Sequence, residues 1–166
     1  MTDPTNATRS RPQMQGYGME ADTTGMLEWA WIDTQMLQAR NYWVCTTRPE
    51  GLPHAAPVWG VWLNGVLYFS SGRTSRKARN LAHRPQVVIH LESGDDVVII
   101  EGTVAEVTDL ALYGQIAAAY GGKYAQFTPP PDPDPAGIWY MLLPHSVLAW
   151  RESDFTATAT RWTFAT

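Results

Sequence analysis

Cysteine is nearly absent from this chain of 166 residues: Cys45 stands alone. A single thiol excludes an internal disulfide and any metal site built on several cysteines. Charge is sparse too. Charged residues make up 17% of the chain against 45% hydrophobic ones, and the net charge is -4. That is the composition of a folded globular chain with a lightly charged surface, not of a disordered one. The acidic balance disfavours nucleic-acid binding through bulk charge. No run approaches the ~20 apolar residues that span a bilayer. Residues 1–20 (MTDPTNATRSRPQMQGYGME) lack the apolar core of a signal peptide. A cytoplasmic protein is the simplest expectation. At roughly 100–200 residues per domain, the length predicts one domain.

The usual signatures of side-chain catalysis are also missing. His54, His83, His90 and His145 are scattered without metal-ligand spacing. There is no G-x-S-x-G elbow and no Walker A lysine loop. Gly16-Tyr17-Gly18 is a fragment of a dinucleotide pattern with no strand before it. Asp95 and Asp96 read as a polar hairpin tip rather than an acid/base pair. Cys45, in an apolar strand, reads as a buried inert thiol. A chain without such groups fits chemistry supplied by a cofactor. What the chain has in quantity is aromatic: eight tryptophans and seven tyrosines. They suggest a well-filled core, an aromatic-lined pocket or a subunit interface.

Residues 1–22 carry almost no periodic apolar residues and predict a disordered tail. Residues 23–166 then form the domain. Thr23 or Thr24 caps a helix running to Gln38 or Ala39. Aromatic and β-branched residues make 41–47 (NYWVCTT) a strand, and Arg48-Pro49-Glu50-Gly51 a turn. The next strand spans 54–63. Asn64-Gly65 is a strong hairpin signal, because both residues tolerate positive φ, and 66–70 (VLYFS) is the return strand. A helix capped by Thr74 or Ser75 follows and ends at Arg84-Pro85. Strands are predicted over 87–91 and 97–107, with Gly102 a bulge or bend. Thr108 or Asp109 caps a helix to about Ala119. The segment 121–137, with its PPPDPDP run, is a loop. Residues 138–143 and 146–150 are strands, or one bent strand broken at Pro144. Thr156–Phe164 closes the set. About seven strands joined by tight turns predict a mainly β, antiparallel, barrel-like fold.

Between Glu50 and Glu92 there is no Asp or Glu, although the chain has 16. The same stretch holds Arg73, Arg76, Lys77, Arg79 and Arg84. A net acidic protein thus concentrates positive charge at one strand-to-helix junction. Helix N-termini carry free N–H groups and about half a positive charge. Ser70, Ser71, Thr74 and Ser75 add hydroxyls, and Arg76 and Lys77 add full charge. A capped helix with solvated basic residues is the plainer alternative. In Val58-Trp59-Gly60-Val61-Trp62, the two-residue period sends Trp59 and Val61 to one face and Val58, Gly60 and Trp62 to the other. Trp59 beside Gly60 makes a candidate wall for a planar ring, whereas Trp62 reads as core.

PHAAPVWGVWLNGVLYFSSG followed by TSRKARNLAHRPQVVIHLE closely resembles the split β-barrel flavin- and deazaflavin-binding proteins related to pyridoxamine 5'-phosphate oxidase. Within that group it is most similar to the actinobacterial coenzyme F-420-dependent reductase branch. VVIIEGTVAEVTD, AAAYGGKY and RWTF fit the same pattern. The resemblance implies an FMN-binding split barrel of six to seven antiparallel strands that forms a homodimer with cofactor sites at the interface. It implies a cofactor phosphate at Ser70, Ser71, Ser75, Arg76 and Lys77, with Asn80 beside them in a packing or capping role. It implies a ring system along Pro57-Val58-Trp59, and a weaker contribution of Trp139 and Tyr140 from the partner subunit. The implied function is hydride transfer from reduced coenzyme F-420 to a small conjugated or heteroaromatic molecule. An FMN-dependent oxidase or reductase, or a non-catalytic cofactor-binding protein, are the alternatives. The C-terminal Arg151-Glu152-Ser153-Asp154-Phe155 is not the pattern of the vitamin B6 oxidases. Arg73, Arg79, Arg84 and Lys123 are candidates for the anionic tail of F-420, with solvated surface charge as the plainer reading. His54 and Tyr68 are possible proton donors, though both read more simply as core.

Overall fold

The computed structural model describes residues 6–19, 21–125, 127 and 129–165. Asn64 and Gly65 take φ of 51° and 75°, the left-handed pair that a tight two-residue hairpin needs. They join β4 (Gly60–Leu63) to β5 (Val66–Gly72), with Leu63 opposite Val66. The predicted strand over 54–63 is not continuous. It breaks at Trp59 into β3 (Pro53–Val58) and β4, and the two halves find different partners. β3 pairs with β2 (Tyr42–Thr47), and β4 pairs with β5. Gly60 makes this corner possible: a Cβ there would lie 2.8 Å from the Tyr68 carbonyl oxygen.

Further along come α2 (Arg76–His83), β6 (Gln86–His90), β7 (Asp96–Glu106), α3 (Leu110–Lys123), β8 (Gly137–Arg151), a 3-10 turn (Glu152–Asp154), α4 (Phe155–Thr158) and β9 (Thr160–Phe164). Ahead of them lie β1 (Ala7–Ser10) and α1 (Trp29–Gln38). Every strand pair is antiparallel, so the fold is mainly β, as the turn pattern predicts. Among the described residues there are nine strands in the order β1-β9-β8-β7-β6-β2-β3, with β5 pairing both β4 and β8. The two beyond the expected seven are β1 and the second half of the strand split at Trp59. β8 is one bent strand. Its first half pairs with β5 and its second with β9, while β7 runs along its other edge. The register shifts at Glu101/Gly102, where the sequence predicts a bulge or bend. A side chain at Gly102 would come within 2.3 Å of the Leu143 carbonyl oxygen.

One face of the sheet is the core. The row Val44, Ile89, Ile100, Val147 and Trp162, in register across five strands, is buried throughout. Val58 and Trp62 join it, as the two-residue period requires. Trp59 and Val61 go the other way, into a second cluster with Tyr68, Ile116, Tyr120 and Tyr124 beneath α3.

Three boundaries differ from expectation. α1 begins at Trp29 rather than after Thr24. Gly25 at φ 81° interrupts the helical path, and the Leu27 N–H is bound by Thr160 Oγ1 at 2.7 Å. α3 runs to Lys123, through Gly121 and Gly122. The expected C-terminal strand from Thr156 is helical to Thr158 and extended only from Thr160. Within the expected tail, residues 7–10 form β1 against β9. Arg9 pairs with Glu28 at 2.7 Å, and Arg11 donates to the carbonyls of Asp22, Thr24 and Ala159. Such bonds tie down a segment that composition alone leaves free. Among the described residues no helix is long and apolar enough to cross a membrane.

Candidate functional site

The last turn of β5 and the first of α2 build the site. Side chains alternate along β5, so Phe69 and Ser71 face inward while Tyr68 and Ser70 face the α3 side. Ser71 Oγ lies 2.7 Å from Ser75 Oγ. Ser75 is the N-cap of α2 and accepts from the Ala78 N–H at 3.0 Å, which settles the cap in favour of Ser75 over Thr74. Ala78, Asn80 and Leu81 are the buried stripe of α2. Arg76 is exposed and Lys77 half-buried.

Asn80 is 0% exposed. Its Nδ2 donates to Thr46 Oγ1 at 2.9 Å, and that oxygen is 3.4 Å from His54 Nδ1. Thr46 and His54 are register partners across β2 and β3, so strand pairing places them side by side. Asn80 Oδ1 and Arg48 Nε are buried and have no hydrogen-bond partner. A buried polar atom without a partner is uncommon in a folded protein and calls for an explanation. Burial pushes the His54 pKa down, and the charges of Arg48, Lys77 and Arg76 push it further the same way. Burial also lowers the Lys77 pKa. Among the described residues the ion pairs are Arg9–Glu28 and Arg73–Glu106, both away from this cluster. Three cationic side chains and a histidine therefore share one corner with no carboxylate paired to them. A phosphate group suits that donor set, since it would supply the missing negative charge and accept from the unpartnered Arg48 Nε–H.

On the other side of β5, Ser70 and Trp139 line a cleft of about 350 Å³ with Tyr113, Phe127, Pro129 and Pro130. The proline-rich segment forms one wall of this cleft. Tyr113 Oη donates to the Pro130 carbonyl at 2.7 Å, and Arg73 Nε to the Pro135 carbonyl at 2.9 Å. The aromatic rings continue inward. Trp139 meets Tyr120 edge-on at 5.2 Å, and Trp59 stacks on Tyr124 at 4.6 Å.

Of the residues singled out from sequence, Ser71, Ser75, Arg76, Lys77 and Asn80 come together around the start of α2. Ser70 faces the neighbouring cleft. Pro57 is exposed on the outer face of the sheet, Val58 is buried in the core, and Trp59 has one face covered by Tyr124. Trp139 lines the cleft, and Tyr140 is buried against Phe69 at 5.3 Å. Arg73 is committed to Glu106 and the proline-rich segment. Arg48 escapes sequence reasoning because it reads as a turn residue. His54 reads as core, and its place beside Thr46 follows only from register. Lys123 is half-buried rather than a solvated charge. It donates to Tyr42 Oη at 2.8 Å and to the Gly60 carbonyl at 3.0 Å, over the ring of Tyr42. Burial brings its pKa down to about 8. Gly60 N–H also donates to Tyr124 Oη at 3.1 Å. The end of α3 thus clamps the corner that follows Trp59. Among the described residues no three His, Cys, Asp or Glu side chains group as a metal would require.

Residues 32–141, about two thirds of the chain, match the family described as Pyridoxamine 5'-phosphate oxidase. The chain belongs to that family. No curated protein sequence matches it. Among solved structures, a conserved hypothetical protein of Mycobacterium tuberculosis is 21% identical with a TM-score of 0.67, over 80% of this chain and 89% of that one. An F420 reductase is 23% identical with a TM-score of 0.54, over 68% of this chain and 93% of its own. A pyridoxamine 5'-phosphate oxidase-related, FMN binding protein of Nostoc punctiforme is 18% identical with a TM-score of 0.54, over 72% and 78%. At these identities the likeness is one of fold. It agrees with the split barrel implied by the resemblance of the β3–α2 segments. The pyridoxamine 5'-phosphate oxidase family match also spans the whole cationic corner, from Arg48 to Asn80.

Proposed function

We propose that the protein is an oxidoreductase that binds a phosphate-bearing deazaflavin, coenzyme F-420, and directs its hydride to a small conjugated or heteroaromatic molecule. The observation that carries this reading is the uncompensated cationic corner of Arg48, Arg76 and Lys77 around a capped helix start. The similarity to an F-420 reductase, in segments and in fold, supports the choice of cofactor.

In this reading the phosphate is held by Lys77 and Arg76, with Ser71 and Ser75 organising the helix start beneath it. The ring lies along β3. That strand pairs only with β2, so its other edge carries backbone groups without a strand partner among the described residues. Pro57, lacking an N–H, narrows the donors available there. When bound, reduced F-420 supplies the hydride itself. The chain's work is to hold the ring and orient the acceptor, and proximity supplies much of the rate gain. The aromatic walls of the Ser70–Trp139 cleft suit a planar acceptor.

A second copy of the chain belongs to the same reading. The outer face of the sheet carries the register row Pro57, Trp43, His90, Ile99 and Leu148. None of these five is fully buried, and Trp43 stacks on His90 at 6.2 Å. A mainly apolar face of this extent is what a dimer covers.

Titrating the purified protein with F-420 and with FMN tests the proposal. F-420 binding, followed by reduction of quinone or enone acceptors, is the expected result. Tight FMN binding with no measurable F-420 binding would replace it with the second reading, an FMN-dependent oxidase or reductase, which the likeness in fold to an FMN binding protein supports. Binding of F-420 without turnover of any acceptor would leave a cofactor carrier.

A further inference from the structure

We propose that His54 is a proton-switched member of the anion site formed with Arg48, Arg76 and Lys77: neutral while that corner holds no anion, and protonated when a phosphate or sulfate group lies there. The inference rests on reading this corner as an anion site, and it adds a residue and a pH dependence that the reading does not contain.

The geometry begins at Asn80. Fully buried, it donates through Nδ2 to Thr46 Oγ1 at 2.9 Å. The Thr46 hydroxyl must then give its own proton elsewhere. Two acceptors are within reach, His54 Nδ1 at 3.4 Å and the His54 carbonyl at 3.5 Å. Donation to Nδ1 fixes the neutral tautomer with its proton on Nε2. When the ring gains a proton from solvent at Nδ1, Thr46 Oγ1 accepts from it and turns its hydroxyl to the carbonyl. Both protonation states therefore have a complete hydrogen-bond arrangement, and the change needs only rotation of one hydroxyl.

Burial and the neighbouring charges together favour one state. The groups facing His54 are Arg48 from the β2–β3 turn and Arg76 and Lys77 from α2, all cationic. Thr46 and Asn80 are neutral. Glu50, in the same turn as Arg48, is exposed and forms no ion pair among the described residues. Burial first, and then the positive charges of Arg48, Lys77 and Arg76, lower the His54 pKa and so favour the neutral imidazole. An anion placed among them reverses the local sign and draws a proton onto the ring. By linkage, a site that takes up a proton with its anion binds that anion more tightly as pH falls. The Arg48 Nε–H, a buried donor without a partner, is a further sign that the corner is incomplete without an acceptor.

The test uses inorganic sulfate, whose charge is fixed between about pH 5 and 8, the range in which imidazole titrates. With isotope-labelled histidine, the His54 ring is titrated by NMR with and without saturating sulfate. The expected result is a titration point below that of a free imidazole without sulfate, moved upward by it. Sulfate affinity should fall by up to about tenfold per pH unit between the two points. The variant His54→Gln should bind sulfate with an affinity that no longer varies over that range. An unmoved His54 titration, a slope that survives in the variant, or no sulfate binding at all would overturn the proposal. The NMR titration uses the unaltered chain, so it decides even if the variant does not fold. Cofactor binding that sulfate does not compete with would instead overturn the assignment of this corner to the cofactor phosphate, while leaving a sulfate-dependent His54 titration standing.

Discussion

Lys77 enters the anion corner half-buried, with part of its hydration already removed before any ligand arrives. A charge in that state gains more from an anion than a solvated one does. Lys77→Ala is therefore expected to weaken cofactor binding by about 1–3 kcal/mol, the range for hydrogen bonds to charged groups, with the thermal unfolding midpoint little changed. A fluorescence titration alongside a melting curve checks both; unchanged affinity would remove Lys77 from the site. Lys123 shows the opposite use of a half-buried lysine. It has no anion to meet and instead bonds Tyr42 Oη and the Gly60 carbonyl. Folding lowers its pKa from an ordinary 10.5 to about 8. Between those values the unfolded chain binds more protons than the folded one, so this group makes stability rise with pH. Measured by denaturant unfolding, the stability difference between the wild type and Lys123→Met should move in the wild type's favour as pH rises from 8 towards 10.5. A flat difference would mean that Lys123 keeps its charge in the folded state.

α2 and the strand corner at Trp59 are the elements that place the site. Ser75 caps α2 and also meets Ser71 at 2.7 Å. Ser75→Ala removes both contacts and is expected to cost about 1 kcal/mol of stability, read from chemical denaturation. A loss within error would show that the cap is dispensable. α2 was legible from sequence because its signals are local: a capping serine, a helical run and a terminating Arg84-Pro85. The Asn64-Gly65 turn was legible for the same reason. The break at Trp59 was not, because its causes lie far along the chain. Tyr124 stacks on Trp59 and binds Gly60, and Tyr68 crowds the same glycine. Arg48 and His54 stayed hidden for a related reason. Their roles depend on which residues β2 and β3 set opposite each other and on where α2 packs. The start of α1 likewise turns on a bond between Leu27 and Thr160, at the far end of the sequence. Spacing along the chain reports on local hydrogen bonds, whereas these features are decided by tertiary ones.

At the scale of the whole molecule, one face of the sheet is finished and the other is not. The inner row through Val44, Ile89, Ile100, Val147 and Trp162 is buried, whereas the adjoining outer row from Pro57 to Leu148 remains partly open. Beside that outer row runs a second, through Ala55, Cys45, Val88, Glu101 and Ser146. Ala55 is exposed, and it lies on β3, the strand proposed to carry the cofactor ring. A carboxylate at this position meets only water in a lone chain, so Ala55→Asp should leave the fold intact. Against a second copy the same carboxylate would lose its hydration without a partner, which is strongly unfavourable. Sedimentation is therefore expected to give a dimer for the wild type and a monomer for Ala55→Asp. Because the proposed ring site borders this face, the monomer should also bind F-420 more weakly, with its circular dichroism spectrum unchanged. A variant that stays dimeric would place the partner on another surface. A monomer that binds the cofactor at full strength would confine the site to one chain, leaving the cationic corner of α2 and the free edge of β3 to hold the cofactor without help.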